Sequence, residues 1–274
     1  MQPLERPAPD LARDGGRRAR RRTTRLRERL LDHVFAEGLV VAAVLGWWGL
    51  SRGMPDYVMP GPQTVLIALV RLFVDFDFLR HTLASTLRVV GAVVASTLIG
   101  GALALLPHRY PIWDVIVHER VKPFLNSFPS VGWAILALIW FGSSNPSIVF
   151  VEVAILTPFC LVNISEGLKE IDRELLEMGR SFTRNRRRVF FKIALPLLMP
   201  YVIAALRIAY GVGWKIALIA ELFGAETGLG YLMLNAQTTA DATTVFATCF
   251  AIVLMFSAGE KLVIDPLARR FHSG

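Results

Sequence analysis

Three ionisable residues, Arg207, Lys215 and Glu221, stand inside one long apolar stretch of the chain. A charge in such a stretch is costly unless it is paired, faces water or meets a charged solute, so each is a candidate for function. Arg207 and Lys215 are eight positions apart, which is about 80° around a helix. With Gly211 between them, one face carrying both cations would line a path for an anion. Weighed equally against this is a plainer reading, in which Arg207 extends to the inner surface and Lys215 pairs with Glu152 or Glu221. Glu221, near the outer end, suits a structural role better. The chemistry on offer is recognition of charge, not bond-making. No Gly-x-x-x-x-Gly-Lys-Ser/Thr phosphate loop occurs, and the glycines at Gly224, Gly228 and Gly230 lack the lysine that would grip phosphate. His33, His81, His108, His118 and His272 show no ligand spacing, and Cys160 and Cys249 sit in separate apolar runs as small packing residues. No catalytic residue, metal ligand or bound cofactor is assigned to this chain.

Positioning these residues requires a frame, and composition places that frame in lipid. The chain is 54% hydrophobic and 19% charged, with a mean hydropathy of +0.48. A span takes about 20 largely apolar residues, and lipid forces each span to be a helix because it cannot satisfy backbone polar groups. Six helices are predicted, near 35–51, 86–106, 123–141, 147–165, 200–223 and 243–264. Pro129 is expected to kink the third without ending it. Ser96 and Gly100 on the second permit close helix approach. Between the first two, Thr64–Val74 is too short to span and reads as an amphipathic helix on the outer surface, started by Pro60 and Pro62. The predicted organisation is a basic tail at 1–34, a first membrane helix within 35–56, an interfacial segment at 57–80, and a core at 81–270 of five transmembrane helices. The fold class is all-α, membrane-embedded, with six transmembrane helices.

Charge orients the chain. The formal net charge is +8, and the first thirty residues hold ten Arg against four acids. The loop 166–199 carries eight Lys or Arg, whereas 224–242 carries Glu226, Asp241 and no basic residue. Short cytoplasmic loops collect Lys and Arg, so the tail, the 166–199 loop and both termini are predicted to be cytoplasmic. This placement accounts for the basic excess without nucleic acid. The tail itself reads as solvated and disordered.

The 166–199 loop is the most informative segment. Asp172 can cap a short helix, Glu174 and Glu177 fall in its early turns where the helix dipole favours acids, and Arg184–Arg188 follow. The chain re-enters the membrane at Ile193, Ala194, Leu195 and Pro196. This order resembles the signature of the permeases of type I ABC importers, in particular the nitrate, sulfonate and taurine class. That signature reads Glu-Ala-Ala, three variable residues, Gly, nine variable residues, Ile, one variable residue, Leu-Pro. Here Glu177, Met178 and Gly179 fall on the triplet, Thr183 on the glycine, and Ile193, Leu195 and Pro196 on the end. Met178, Gly179 and Thr183 depart from the pattern. A Thr where positive φ is needed is costly, so the bend is expected to shift by a residue or the loop to suit a specialised partner. The resemblance covers roughly residues 57–270, including Ser85, Thr86, Leu87 and Arg88, Asn126 to Pro129, Leu206 and Arg207, Glu221, and Gly228 to Tyr231.

The resemblance implies a type I permease fold in which Glu174, Glu177, Met178, Gly179, Thr183, Arg184, Ile193, Leu195 and Pro196 form an ATPase-coupling loop. Arg207, Gly211, Lys215 and Glu221 remain the pore-lining candidates. The implied partners are a cytoplasmic ABC ATPase dimer, which uses ATP and Mg, and a second permease copy in a homodimer or heterodimer. A periplasmic or lipid-anchored solute-binding protein and membrane lipid complete the set. The implied location is the inner (plasma) membrane of a prokaryote, crossed several times. The implied function is half of a pore importing a small solute, such as a sulfonate, taurine or nitrate, by alternating access. The competing expectation is a secondary transporter or channel that needs no ATPase.

Overall fold

The computed structural model describes residues 35, 37–171, 173–183 and 185–272. The Arg-rich segment 1–34, Asp172 and Arg184, all singled out in the sequence, lie outside the described residues. Two compact units are present, 1–62 and 63–274. In the first, α1 (Glu37–Ser51) is apolar but shorter than a full span, and the Arg52 guanidinium lies 3.7 Å over the Trp48 ring.

The second unit is a helical bundle. Its elements are α2 (Pro62–Val74), α3 (Phe76–Arg109), α4 (Lys122–Ser127), α5 (Ser130–Phe141), α6 (Asn145–Glu170), α7 (Arg173–Phe182), α8 (Arg186–Val189), α9 (Leu195–Gly224), α10 (Leu229–Thr238), α11 (Ala242–Gly259) and α12 (Asp265–His272). Among three π-helical segments, Phe190–Ala194 and Glu260–Ile264 join neighbouring helices without a break, whereas Val115–Val121 runs on into α4 but is separated from α3 by the turn at 110–112. No strand occurs among the described residues.

Four continuous helical stretches are long and apolar enough to cross a membrane: Phe76–Pro107, Asn145–Glu170, Arg187–Gly224 and Ala242–Arg270. They enclose four of the predicted spans and run past them. α3 starts ten residues before Thr86 because Asp75 caps it, its side chain accepting from the Asp77 backbone N–H. The third predicted span needs correction. Pro129 does not kink a continuous helix there: α4 ends at Ser127, α5 begins at Ser130, and the two segments meet at 87°. The residue before a proline is pushed out of the helical region, and Phe128 is extended at φ −74°, ψ 126°. Its ring then packs on Trp133 at 4.5 Å between centroids, which holds the corner.

α3, α6 and α9 form the centre, burying Val89, Ala92, Val93, Leu156, Cys160, Leu161, Ala205, Ala209, Trp214 and Ala217. α5 packs on α6 and α9 around Trp133, Ala134, Ile148 and Ala220. Close approach is set by small residues: a Cβ on Gly100 would lie 2.8 Å from both Cys160 Cβ and the Leu161 backbone nitrogen, so only glycine lets α3 sit this near α6. Burial of these apolar faces, not propensity, fixes the bundle.

Candidate functional site

The signature segment folds back on itself. α7 carries Glu174, Glu177, Met178 and Gly179, and the π-helical turn before α9 carries Ile193. A Cβ on Gly179 would collide with Ile193 Cδ1 and lie 3.4 Å from Val189 Cγ1, so the glycine lets the two halves of the signature touch. Glu177 and Met178 are exposed, as are Leu175 and Phe182 of the same helix and Phe191 of the π-helical segment. Large apolar side chains are thus left uncovered on this segment. Leu195 is half-buried and Pro196 exposed in the first turn of α9, which continues from the π-helical segment Phe190–Ala194.

Thr183 resolves differently from the expectation. Among the described residues Ala240 is the one non-glycine with positive φ, so Thr183 does not occupy the strained conformation. Its hydroxyl instead accepts the Asn185 backbone N–H at 3.3 Å, and Asn185 Oδ1 accepts from the Arg187 and Arg188 backbone N–H groups at 3.1 and 3.3 Å. Side-chain hydrogen bonds thus make the bend and cap α8 where the family signature uses a glycine.

The four candidate residues on α9 meet different surroundings. Arg207 turns to the far end of the bundle, where it pairs with Asp265 and approaches Glu260 at 3.8 Å. Gly211 packs toward Phe256 of α11. Lys215 is exposed and, among the described residues, has neither Glu152 nor Glu221 as a partner, so the plainer pairing reading does not hold. Glu221 is buried inside the bundle.

Glu221 anchors a polar network that sequence reading did not assemble. Its carboxylate accepts from Arg88 Nη1 at 2.7 Å, from Ser85 Oγ at 2.7 and 2.8 Å, and from the Gly230 backbone N–H at 2.9 Å. Arg88 also donates to the Thr227 carbonyl and hydroxyl, both at 2.7 Å, and to Asn145 Oδ1 through Nε at 3.1 Å and through Nη2. The Gly228 N–H reaches His81 Nδ1 at 3.0 Å, and the Leu229 N–H reaches Ser85 Oγ at 2.8 Å. Gly228 has φ +123°, and any Cβ there would strike the Glu221 carboxylate; both facts demand glycine. The network therefore ties α3, the start of α6, the end of α9 and the 225–230 turn into one buried knot. Seven residues below Asn145 on α6, Glu152 is fully buried with both carboxylate oxygens lacking a hydrogen-bond partner among the described residues.

Four helices long and apolar enough to cross a membrane describe a multi-pass membrane protein. Comparison with known proteins makes this specific. Residues 115–264, over half of the chain, match the family described as binding-protein-dependent transport system inner membrane component, and the chain belongs to that family. It is similar to the taurine transport system permease protein TauC of Escherichia coli K12, 28% identical over 245 residues that cover 85% of this chain and 86% of the relative. It is also similar to the formylaminopyrimidine transport permease protein ThiX of Halalkalibacterium halodurans, at 30% identity covering 78% and 88%. The putative aliphatic sulfonates transport permease protein SsuC of Escherichia coli K12 matches at 27% identity, covering 85% and 86%. The protein is a non-catalytic permease component of an ABC importer, which works with an ATPase and a solute-binding protein.

Proposed function

We propose that this permease forms half of a pore that imports a small organic anion of the sulfonate type, as one of two copies gripped by an ATPase dimer that consumes ATP and Mg. The observation that carries the coupling assignment is α7 standing against Ile193 while Leu175, Met178, Phe182 and Phe191 remain exposed. A rigid amphipathic handle of this kind can pass motion from a partner to α9, because α9 continues directly from the π-helical turn that α7 grips. Charge asymmetry between 166–199 and 224–242 supports α7 and both termini in the cytoplasm of a prokaryotic cell, and six crossings require α1 and the bent α4–α5 pair to count beside the four long helices.

The substrate class is supported by two relatives whose names specify taurine and aliphatic sulfonates. Exposed Lys215, a cation in the middle of α9, supports an anion as cargo. The test is uptake of radiolabelled taurine and of a short alkanesulfonate into proteoliposomes holding the permease, its ATPase and its binding protein. ATP-dependent uptake of either supports the reading. Uptake of a formylaminopyrimidine in preference to both, or uptake without the ATPase, refutes it.

A further inference from the structure

Glu152 is the buried carboxyl group that the network around Glu221 leaves out. It is fully buried, and its two oxygens have no hydrogen-bond partner among the described residues. An ionisable group so placed is expensive and calls for a partner in some state of the protein. Lys215, on the exposed side of α9, faces away, while buried Gly213 and Ala217 face inward.

The helix register places Arg88 between two seats. α3 and α6 run in the same direction, since Arg88 meets Asn145 near one end and Gly100 meets Cys160 further along. Counting twelve residues back up both helices from Gly100 and Cys160 sets Arg88 level with Ile148. Asn145 then lies one turn above and Glu152 one turn below, each about 4–6 Å along the axis. Asn145 and Glu152 are seven apart and share a face of α6. In the described state the guanidinium takes the upper seat, held there by Asn145, Glu221 and both oxygens of Thr227.

Two of those holds belong to the 225–228 turn, outside any helix. Glu221 keeps Ser85 and the Gly230 N–H without Arg88, whereas Glu152 has nothing. We propose that Glu152 is the second seat of Arg88: a positioning residue that receives the guanidinium when the Thr227 turn moves away during the transport cycle. Movement of the turn and the swing of Arg88 are then one event, and the buried cation is never left without a carboxylate.

The test uses the assembled importer, permease with its ATPase and binding protein, in proteoliposomes. A thiol introduced by Thr227→Cys reports on the turn through its rate of maleimide labelling, in the resting complex and after vanadate trapping with ATP. Neither readout depends on the cargo, so a wrong substrate assignment leaves it intact; loss of ATPase binding in the unaltered permease would instead signal failure of the coupling assignment. Glu152→Gln keeps the shape and removes the charge. It is expected to leave assembly and melting temperature near those of the parent while lowering trapped-state labelling by about tenfold or more, the scale of one charged hydrogen bond. Glu152→Asp is expected to restore labelling to within about threefold of the parent, because the charge returns at a slightly shorter reach. Parent-like trapping in Glu152→Gln overturns the proposal, since a neutral buried group then suffices. Equal loss of stability and labelling in both variants also overturns it, since Glu152 would then be packing alone.

Discussion

The sharpest quantitative consequence concerns Arg88→Met. The substitution removes the guanidinium from Glu221, from both oxygens of Thr227 and from Asn145, in a pair whose side chains are 6% and 1% exposed. Water cannot replace what is lost. Breaking a buried ion pair from one side costs about 3–5 kcal/mol, part of which Ser85 and the Gly230 N–H offset by continuing to donate to Glu221. For a chain of this length that corresponds to a fall in melting temperature of about 10 °C. Thermal unfolding of the purified permease in nanodiscs, followed by tryptophan fluorescence, gives the measurement. The control is the double substitution Arg88→Met with Glu221→Met, which replaces charges by apolar volume and is expected to recover at least half of the loss. A single-variant shift equivalent to less than about 1 kcal/mol, the range of exposed pairs, would refute the claim that this pair is desolvated and structural. So would a double variant no more stable than the single.

Further expectations follow from the same structure. Gly179→Leu drives a side chain into Ile193 and is expected to reduce co-purification of the ATPase, with recovery on adding Ile193→Ala; pull-down of the complex checks both. Glu177→Lys reverses an exposed charge on α7 and is expected to weaken ATPase binding while membrane insertion, read by fractionation and protease protection, is unchanged. Gly228→Ala meets both a positive φ and the Glu221 carboxylate, and is expected to cost about 1–3 kcal/mol of stability, measured by the same unfolding assay. Arg207→Ala removes a pair whose partners are about two-fifths exposed, and is expected to change stability by no more than about 1 kcal/mol.

The apolar runs at 86–106, 147–165, 200–223 and 243–264 were legible because lipid permits one backbone solution, and the structure places all four inside helices. Helix ends were less legible, since they depend on caps: Asp75 accepting from Asp77 moves the start of α3 outward by ten residues. The corner at Pro129 was misread because apolar composition runs through it, while the break depends on Phe128 leaving the helical region and docking on Trp133. Thr183 was measured against a glycine rule, yet two neighbouring side-chain hydrogen bonds do the glycine's work. The network was the least legible part. Arg88 and Glu221 lie 133 residues apart, and nothing local marks them as partners; Glu221 had been read as structural, but its cation could only be found once α3 and α9 were placed side by side. Lys215, by contrast, was correctly seen as a charge within an apolar helix, and the structure leaves it uncovered.

The corner between α4 and α5 limits how this side of the subunit crosses a membrane. α5 has only twelve residues between the corner and the Gly142 turn, about 18 Å of rise against a hydrocarbon slab of about 30 Å. At the corner the Phe128 N–H still donates to the Phe124 carbonyl at 3.1 Å and the Pro129 carbonyl accepts from the Trp133 N–H at 3.2 Å, so the bend keeps those backbone groups paired. Because α5 alone cannot cross such a slab, any crossing on this side has to borrow its remaining length from Val115–Ser127 beyond the bend.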